Sequence, residues 1–180
     1  GFINKVVLVN DKPYPYVVYV PRDYDPERAW PLIVFLHGAG ERGHDGLHQT
    51  DVGLGHAIRR NPEWFPCLVL MPQCPPKVWW DAVADSVERS LLQTCQEYNV
   101  GRSRIYLTGL SMGGYATWQY GGKRPDLFAA LMPICGGGNV DNAPALAKLP
   151  IWAFHGANDD VIDPEESRKM VEAVQQAGGK

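Results

Sequence analysis

The chain has 180 residues, of which 45% are hydrophobic, and a formal net charge of -3 with acidic and basic residues interspersed. This length suits a single domain over residues 1–180, and the charge gives no reason to expect nucleic acid or an anionic membrane as a partner. No apolar run approaches the roughly 20 residues of a membrane-spanning helix, so we expect no integral membrane segment, and the start at Gly1 leaves export with a removed signal open.

The first predicted elements are two strands, over residues 2–9 and 16–20. They are joined around Asn10 to Pro13, a turn-rich connection that favours an antiparallel pair. Short apolar runs follow along the chain and are typical of buried parallel strands with both faces covered. These runs cover residues 32–36, 67–71, 105–108, 129–134 and 151–154.

Helical patterns separate these runs, and the clearest covers residues 82–98. Its apolar residues recur at steps of three and four, namely Val83, Val87, Leu91, Cys95 and Tyr98. Alternating strands and helices predict the α/β class, with helices flanking a mostly parallel sheet.

A last helix is predicted over residues 164–177, with Asp163 as N-cap, Pro164 at the first helical position and Glu166 completing a capping box. Gly178 and Gly179 end it. A parallel sheet normally continues from such a stop into another strand, so the pattern predicts a domain truncated at its C-terminus, without its last strand and helix.

The segment Gly109 to Gly114 stands between an apolar run and a helical run and has the form G-x-S-x-G. Glycines leave room where strand and helix crowd a sharp turn, and such a turn presents a serine hydroxyl above the sheet edge. Ser111 is therefore the candidate nucleophile for attack on a carbonyl.

A glycine-rich loop, residues 36–43, follows the first buried strand. Acyl transfer needs donors for the developing oxyanion, and one donor normally follows the nucleophile while the other comes from such a loop. The backbone amides of Met112 and Ala39 are the candidate oxyanion donors.

A candidate acid follows the final apolar run. Asp159 is the first choice to orient a catalytic histidine and Asp160 the second, whereas Asp163 is explained as a helix cap. In the usual chain order the histidine follows the acid. His155 precedes it and is interpreted as structural, so the catalytic histidine is expected beyond Lys180, and the chain as given is expected to be nearly inactive.

Two further residues are candidates for the substrate pocket. Trp80 could wall it, although packing in the core or on the surface explains this tryptophan equally well. Arg42 could hold a substrate carboxylate, although an ion pair with a nearby acid is the favoured interpretation.

The sequence predicts no metal site and no cofactor. His44, His48 and His56 lie in polar, glycine-rich surroundings and are interpreted as solvated. The four cysteines are too few and too irregularly spaced for a disulfide scaffold. Buried free thiols are the simpler interpretation, and a single Cys74–Cys135 disulfide in an exported protein remains open.

Four segments together resemble the α/β-hydrolase superfamily, and within it the bacterial phospholipase/carboxylesterase group that overlaps dienelactone-hydrolase-like proteins and predicted peptidases. The segments are LHGAGERG, GLSMGGYATW, PICGGG and AFHGANDD. The resemblance implies a serine hydrolase that cleaves small carboxylic esters through an acyl-enzyme, with Ser111, Asp159, Ala39 and Met112 in the roles given above.

Other functions remain open on this resemblance. An acyl thioesterase, a lysophospholipase or a small-peptide hydrolase could use the same site, and a non-catalytic binding module is the alternative outside enzymology. The acyl group, the alcohol, the compartment and the oligomeric state are not predicted.

Overall fold

The structure of the protein is a computed structural model that describes residues 1–180. Its strands are β1 (Phe2–Val9), β2 (Lys12–Tyr19), β3 (Trp30–Leu36), β4 (Leu68–Pro72), β5 (Val100–Leu110) and β6 (Ala130–Ile134). Its α-helices are α1 (Leu54–Arg60), α2 (Ala84–Glu97), α3 (Met112–Lys123), α4 (Ala143–Leu146) and α5 (Glu165–Gln176). None of these helices combines the length and the apolar character needed to cross a bilayer.

The six strands form one sheet in the order β1-β2-β4-β3-β5-β6. The predicted antiparallel pair at the N-terminus is confirmed, and β2 also runs antiparallel to β4, whereas β4, β3, β5 and β6 are parallel. The turn between β1 and β2 has left-handed backbone at Asn10 (φ 50°) and Asp11 (φ 61°). Asparagine and aspartate tolerate this conformation better than other non-glycine residues, which fixes the hairpin at this point.

The main hydrophobic core lies on the face of the sheet that α2 and α3 cover. Leu32, Val34, Leu70 and Leu107 from the central strands are completely buried there. A smaller cluster on the opposite face packs around Ile58 of α1. These layers hold the carboxyl ends of β3, β5 and β6 next to one another, which is where the candidate site residues lie.

The prediction that the parallel strands are covered on both faces is wrong for one part of the sheet. Beside α1, the side chains of Tyr106, Met132, Trp152 and Phe154 are exposed, because none of the helices packs over that side of β5 and β6. The predicted strand over 151–154 is reduced to two isolated parallel bridges, Leu131 with Ile151 and Ile134 with Phe154.

The two predicted helices are present with shifted starts. The first begins as a 3-10 turn at Trp80–Val83 and continues as α2, with Val83, Val87 and Leu91 buried as the periodicity predicts. Before α5, Asp163 caps through Oδ1, which accepts the amide of Glu165 at 2.9 Å. The prediction that Glu166 completes a capping box is wrong, because its carboxylate pairs with Lys169 Nζ at 2.9 Å.

Candidate active site

Ser111 lies between the last residue of β5 and the first residue of α3, as the motif predicts. Its backbone is left-handed, with φ 58° and ψ -112°, a conformation that costs about 1–3 kcal/mol in a non-glycine residue and persists only when the surroundings enforce it. The Ser111 amide donates to the carbonyl of Ile134 at 3.0 Å, which ties the turn to the end of β6. The side chain is half-buried at the carboxyl edge of the sheet.

The glycines of the elbow are required by close backbone contacts. A Cβ atom at Gly113 would lie 1.8 Å from the carbonyl oxygen of Leu36, and one at Gly109 would lie 2.2 Å from the carbonyl oxygen of Gly113. Real Cβ atoms do not approach backbone atoms so closely, so α3 can begin this near to β3 only with glycine at these positions.

The loop after β3 passes directly beside Ser111. A Cβ atom on Gly38 would lie 3.7 Å from the Cβ of Ser111, and the Gly38 amide is already occupied by the Glu41 carboxylate at 3.0 Å. The amides of Ala39 and Met112 each begin a helical turn and donate to no acceptor within the chain. Both are therefore free to bind an oxyanion next to Ser111.

The buried side chain of His37 holds this loop in place through hydrogen bonds of both ring nitrogens. Its Nδ1–H donates to the carbonyl of Gly38 at 2.6 Å, while Nε2 accepts the amide of Cys74 at 2.9 Å. The ring is 1% exposed, and burial lowers its pKa to about 4. His37 is thus a neutral structural residue with both nitrogens engaged, and it has no free nitrogen to act as a base for Ser111.

Asp159 lies in the loop after residues 151–154, and its Oδ1 accepts the amides of Val161 and Ile162, both at 3.0 Å. These two amides, with a smaller contribution from His155, lower the pKa of its carboxyl group. The structure therefore holds Asp159 as a fixed carboxylate. Asp160 is exposed and has no hydrogen bond to its side chain.

Both ring nitrogens of His155 are engaged in contacts other than with Ser111. Nδ1 is 2.7 Å from Ser167 Oγ of α5, and Nε2 lies 2.8 Å from the carbonyl of Ile162 and 3.3 Å from Asp159 Oδ2. Since both ring nitrogens bind within the chain, the ring joins the Asp159 loop to α5.

The other three histidines lie in the loop and helix after β3. His44 and His56 are exposed, and His48 pairs with Asp45 at 2.8 Å. None of the five histidines forms a hydrogen bond with Ser111. No three histidine, cysteine, aspartate or glutamate side chains converge on a point that could hold a metal ion.

Of the two candidate pocket residues, Trp80 follows the packing interpretation that the sequence left open, whereas Arg42 follows neither of its interpretations. Trp80 is 4% exposed and donates its indole N–H to the carbonyl of His37 at 3.0 Å, so it belongs to the core beneath the loop. Arg42 forms no ion pair, and its guanidinium instead binds the carbonyls of Ala39 and Val78, each at 3.0 Å. The favoured interpretation of Arg42 was therefore wrong.

A family model for the dienelactone hydrolase family matches residues 70–180, which include Ser111 and Asp159. The chain belongs to the dienelactone hydrolase family. The resemblance noted in the sequence is thereby confirmed, and the α/β-hydrolase fold with it.

Curated relatives extend the comparison. The chain is 38% identical over 155 residues to the bifunctional acetylxylan esterase/xylanase XynS20E of Neocallimastix patriciarum, a match covering 83% of this chain and 22% of that protein. It is 27% identical over 189 residues to endo-1,4-beta-xylanase Y of Acetivibrio thermocellus, covering 87% of this chain and 17% of the relative.

Solved structures agree with the family assignment. A thermostable esterase superposes with a TM-score of 0.91 at 39% identity, covering 99% of this chain and 52% of that chain. A feruloyl esterase module from Clostridium thermocellum superposes with a TM-score of 0.78 at 20% identity, which shows the shared fold alone. The chain spans about half the length of the thermostable esterase and about a fifth of the two curated relatives.

Cys135, which the sequence offered only as a possible disulfide partner of Cys74, lies near the candidate site. Cys135 follows β6 with a left-handed backbone, φ 43°. Burial raises the pKa of the Cys135 thiol, and this is the largest effect on it. The backbone N–H of Ser111 acts in the opposite direction, whereas the charge of Asp159 raises the pKa further. Cys135 is thus close enough to both the candidate nucleophile and the candidate acid to be influenced by each, and the signal for this position in the sequence was the apolar run before it. All four cysteines are free thiols in the structure.

Proposed function

We propose that the protein is a carboxylic ester hydrolase in which Ser111 attacks the ester carbonyl and forms an acyl-enzyme that water then hydrolyses. The observation that carries this proposal is the strained backbone of Ser111, φ 58°, at the start of α3. Such strain is maintained where a side chain must be presented to a ligand. The free amides of Ala39 and Met112 beside it support the assignment of both as oxyanion donors, each contributing about 100- to 1000-fold in rate.

Asp159 is the acid of this proposal. A carboxylate held ionised by two backbone amides suits the task of orienting an imidazole and stabilising its protonated form. The proton acceptor for Ser111 is assigned to a histidine outside the 180 residues, because the five histidines present are engaged elsewhere or lie away from it. Loss of the base from a serine triad lowers turnover by about 10⁶.

One side of β5 and β6 is left uncovered by the helices of the domain. We propose that residues 1–180 form a single hydrolase domain that is completed by a further strand and helix. The exposed side of β5 and β6, with Tyr106 and Met132, supports this proposal, since apolar strand residues are normally covered.

We further propose that the substrate is an acyl ester of a polysaccharide. The support is the 38% identity to an acetylxylan esterase/xylanase. The groove beside α3, which is lined by Trp79 and by polar side chains that include Gln119 and Asn139, also suits a sugar better than a long acyl chain. A lipid ester is the less favoured substrate for this reason.

A fluorophosphonate probe tests the nucleophile. The 180-residue polypeptide and a longer polypeptide from the same reading frame are incubated with the probe, and the adduct is read by intact mass. We expect one adduct on the longer polypeptide, none on its Ser111→Ala variant, and slow labelling of the shorter one. Labelling that persists in Ser111→Ala would refute the assignment of the nucleophile.

Acetate release tests the substrate. The longer polypeptide should deacetylate acetylated xylan, and its Ser111→Ala variant should not. Activity on nitrophenyl esters of long fatty acids or on peptides, with none on acetylated xylan, would replace the polysaccharide ester by one of the other substrates.

A further inference from the structure

An aromatic ring projects into the groove beside α3 although its neighbour in sequence is buried. Trp79 is 53% exposed, whereas Trp80 is 4% exposed. The Trp79 ring meets the Tyr115 ring edge to face, with centroids 6.0 Å apart and planes at 80°. Tyr115 donates its amide to the carbonyl of Ser111 at 3.0 Å, so the exposed indole contacts a residue that lies one helical turn after the candidate nucleophile.

The chain holds Trp79 firmly from both sides. On one side, the carbonyl of Val78 accepts Arg42 Nη1 at 3.0 Å and the Cys74 thiol at 3.6 Å. On the other, the indole of Trp80 is anchored to the carbonyl of His37. A large exposed ring on a fixed backbone loses little conformational entropy when a ligand covers it, which is the property of a preorganised binding platform.

The groove next to this ring is an open cleft of about 670 Å³. Six polar side chains line it, namely those of Lys77, Asp81, Gln119, Lys123, Asn139 and Asn142. The side-chain amides of the groove both donate and accept hydrogen bonds, as hydroxyl groups do. Its lysines and its aspartate have opposite charges, so the net charge of the groove is small. The groove therefore suits a ligand with many hydroxyl groups. An acyl chain would leave these polar groups without partners.

We infer that this groove binds the sugar chain that carries the ester, with Trp79 as the platform on which one sugar ring stacks. The flat face of a pyranose presents C–H groups that pack against an aromatic ring, while its hydroxyls reach the amides of Gln119 and Asn139. The use of this subsite in catalysis rests on the proposed function, because the bound sugar would be the alcohol part of the substrate.

The test measures binding without turnover, by titration calorimetry with β-1,4-linked xylohexaose, which carries no ester. Trp79→Ala should weaken binding about 10-fold or more, a loss of about 1.4 kcal/mol or more, because the sugar ring would lose its aromatic contact. Trp79→Phe should stay within about 3-fold of wild type. The matched control is Trp64→Ala, because Trp64 is 71% exposed and lies outside the groove; its affinity should not change.

Two results would overturn the inference. One is the absence of xylohexaose binding at millimolar concentration, and the other is equal affinity of Trp79→Ala and wild type. Fluorophosphonate labelling of the longer polypeptide separates this failure from that of the proposed function. Binding that depends on Trp79 without labelling of Ser111 would refute the hydrolase and keep the sugar site, whereas labelling without binding would refute the sugar site alone.

Discussion

The stability of the folded protein should fall between about pH 6.5 and pH 4, because the fold disfavours protonation of His37. In the folded state Nδ1–H donates to Gly38 and Nε2 accepts the amide of Cys74. An imidazolium has a proton on both nitrogens, so it would oppose the Cys74 amide with a second donor. The charge would also be buried, since the ring is 1% exposed.

The size of the effect follows from the pKa of His37, which burial lowers from 6.5 to about 4. Between these two values the unfolded chain binds more protons than the folded chain, so stability falls as pH falls. The contribution is complete above about pH 6.5 and is lost as the pH drops through 4. By linkage the loss is about 2 kcal/mol between pH 7 and pH 5 and about 3 kcal/mol by pH 4.

Urea unfolding followed by tryptophan fluorescence at pH 7 and pH 5 measures this loss. His37→Gln is the matched variant, because its amide oxygen can accept the Cys74 amide but does not titrate. We expect the variant to be less stable at pH 7 and to lose about 2 kcal/mol less than wild type on going to pH 5. Equal losses in the two proteins would show that His37 is not held neutral by the fold.

Two further predictions concern the elbow and the acid. Gly113→Ala should destabilise the fold by about 3 kcal/mol or more in urea unfolding, because its Cβ would lie 1.8 Å from a backbone oxygen. Gly40→Ala, which meets nothing within 4 Å, is the control and should unfold like wild type; similar losses in both would contradict the packing argument. In the longer polypeptide, Asp159→Asn should lower acetate release from acetylated xylan about 10⁴-fold with the fold retained, and a loss below about 10-fold would reassign the acid, with Asp160→Asn as the comparison.

The elements that the sequence predicted well are those set by local rules. The antiparallel pair at the N-terminus follows from a turn at Asn10 and Asp11 between two apolar segments. The strand, turn and helix around Ser111 follow from glycine spacing between two hydrophobic runs. In each case the residues that fix the conformation lie within a few positions of it in the chain.

Of three predictions that failed, two depend on partners far away in sequence and one depends on a competing neighbour within the same helix. Arg42 was expected to find an acid, yet the nearest fixed acceptor for its Nη1 is the carbonyl of Val78, 36 residues away. The Glu166 carboxylate pairs with Lys169 instead of accepting a backbone N–H at the start of the helix. Residues 151–154 were expected to form a full strand, but they bridge β6 at only two positions.

The sequence by itself determined that a serine stands at a sharp turn between strand and helix, because steric limits on the backbone act between near neighbours. Only the tertiary structure decided how Trp79 and Trp80 differ, since no local rule separates two adjacent tryptophans. Trp80 is buried because the carbonyl of His37, 43 residues away, accepts its indole N–H. Trp79, the preceding residue, lines the groove and keeps its ring 53% exposed.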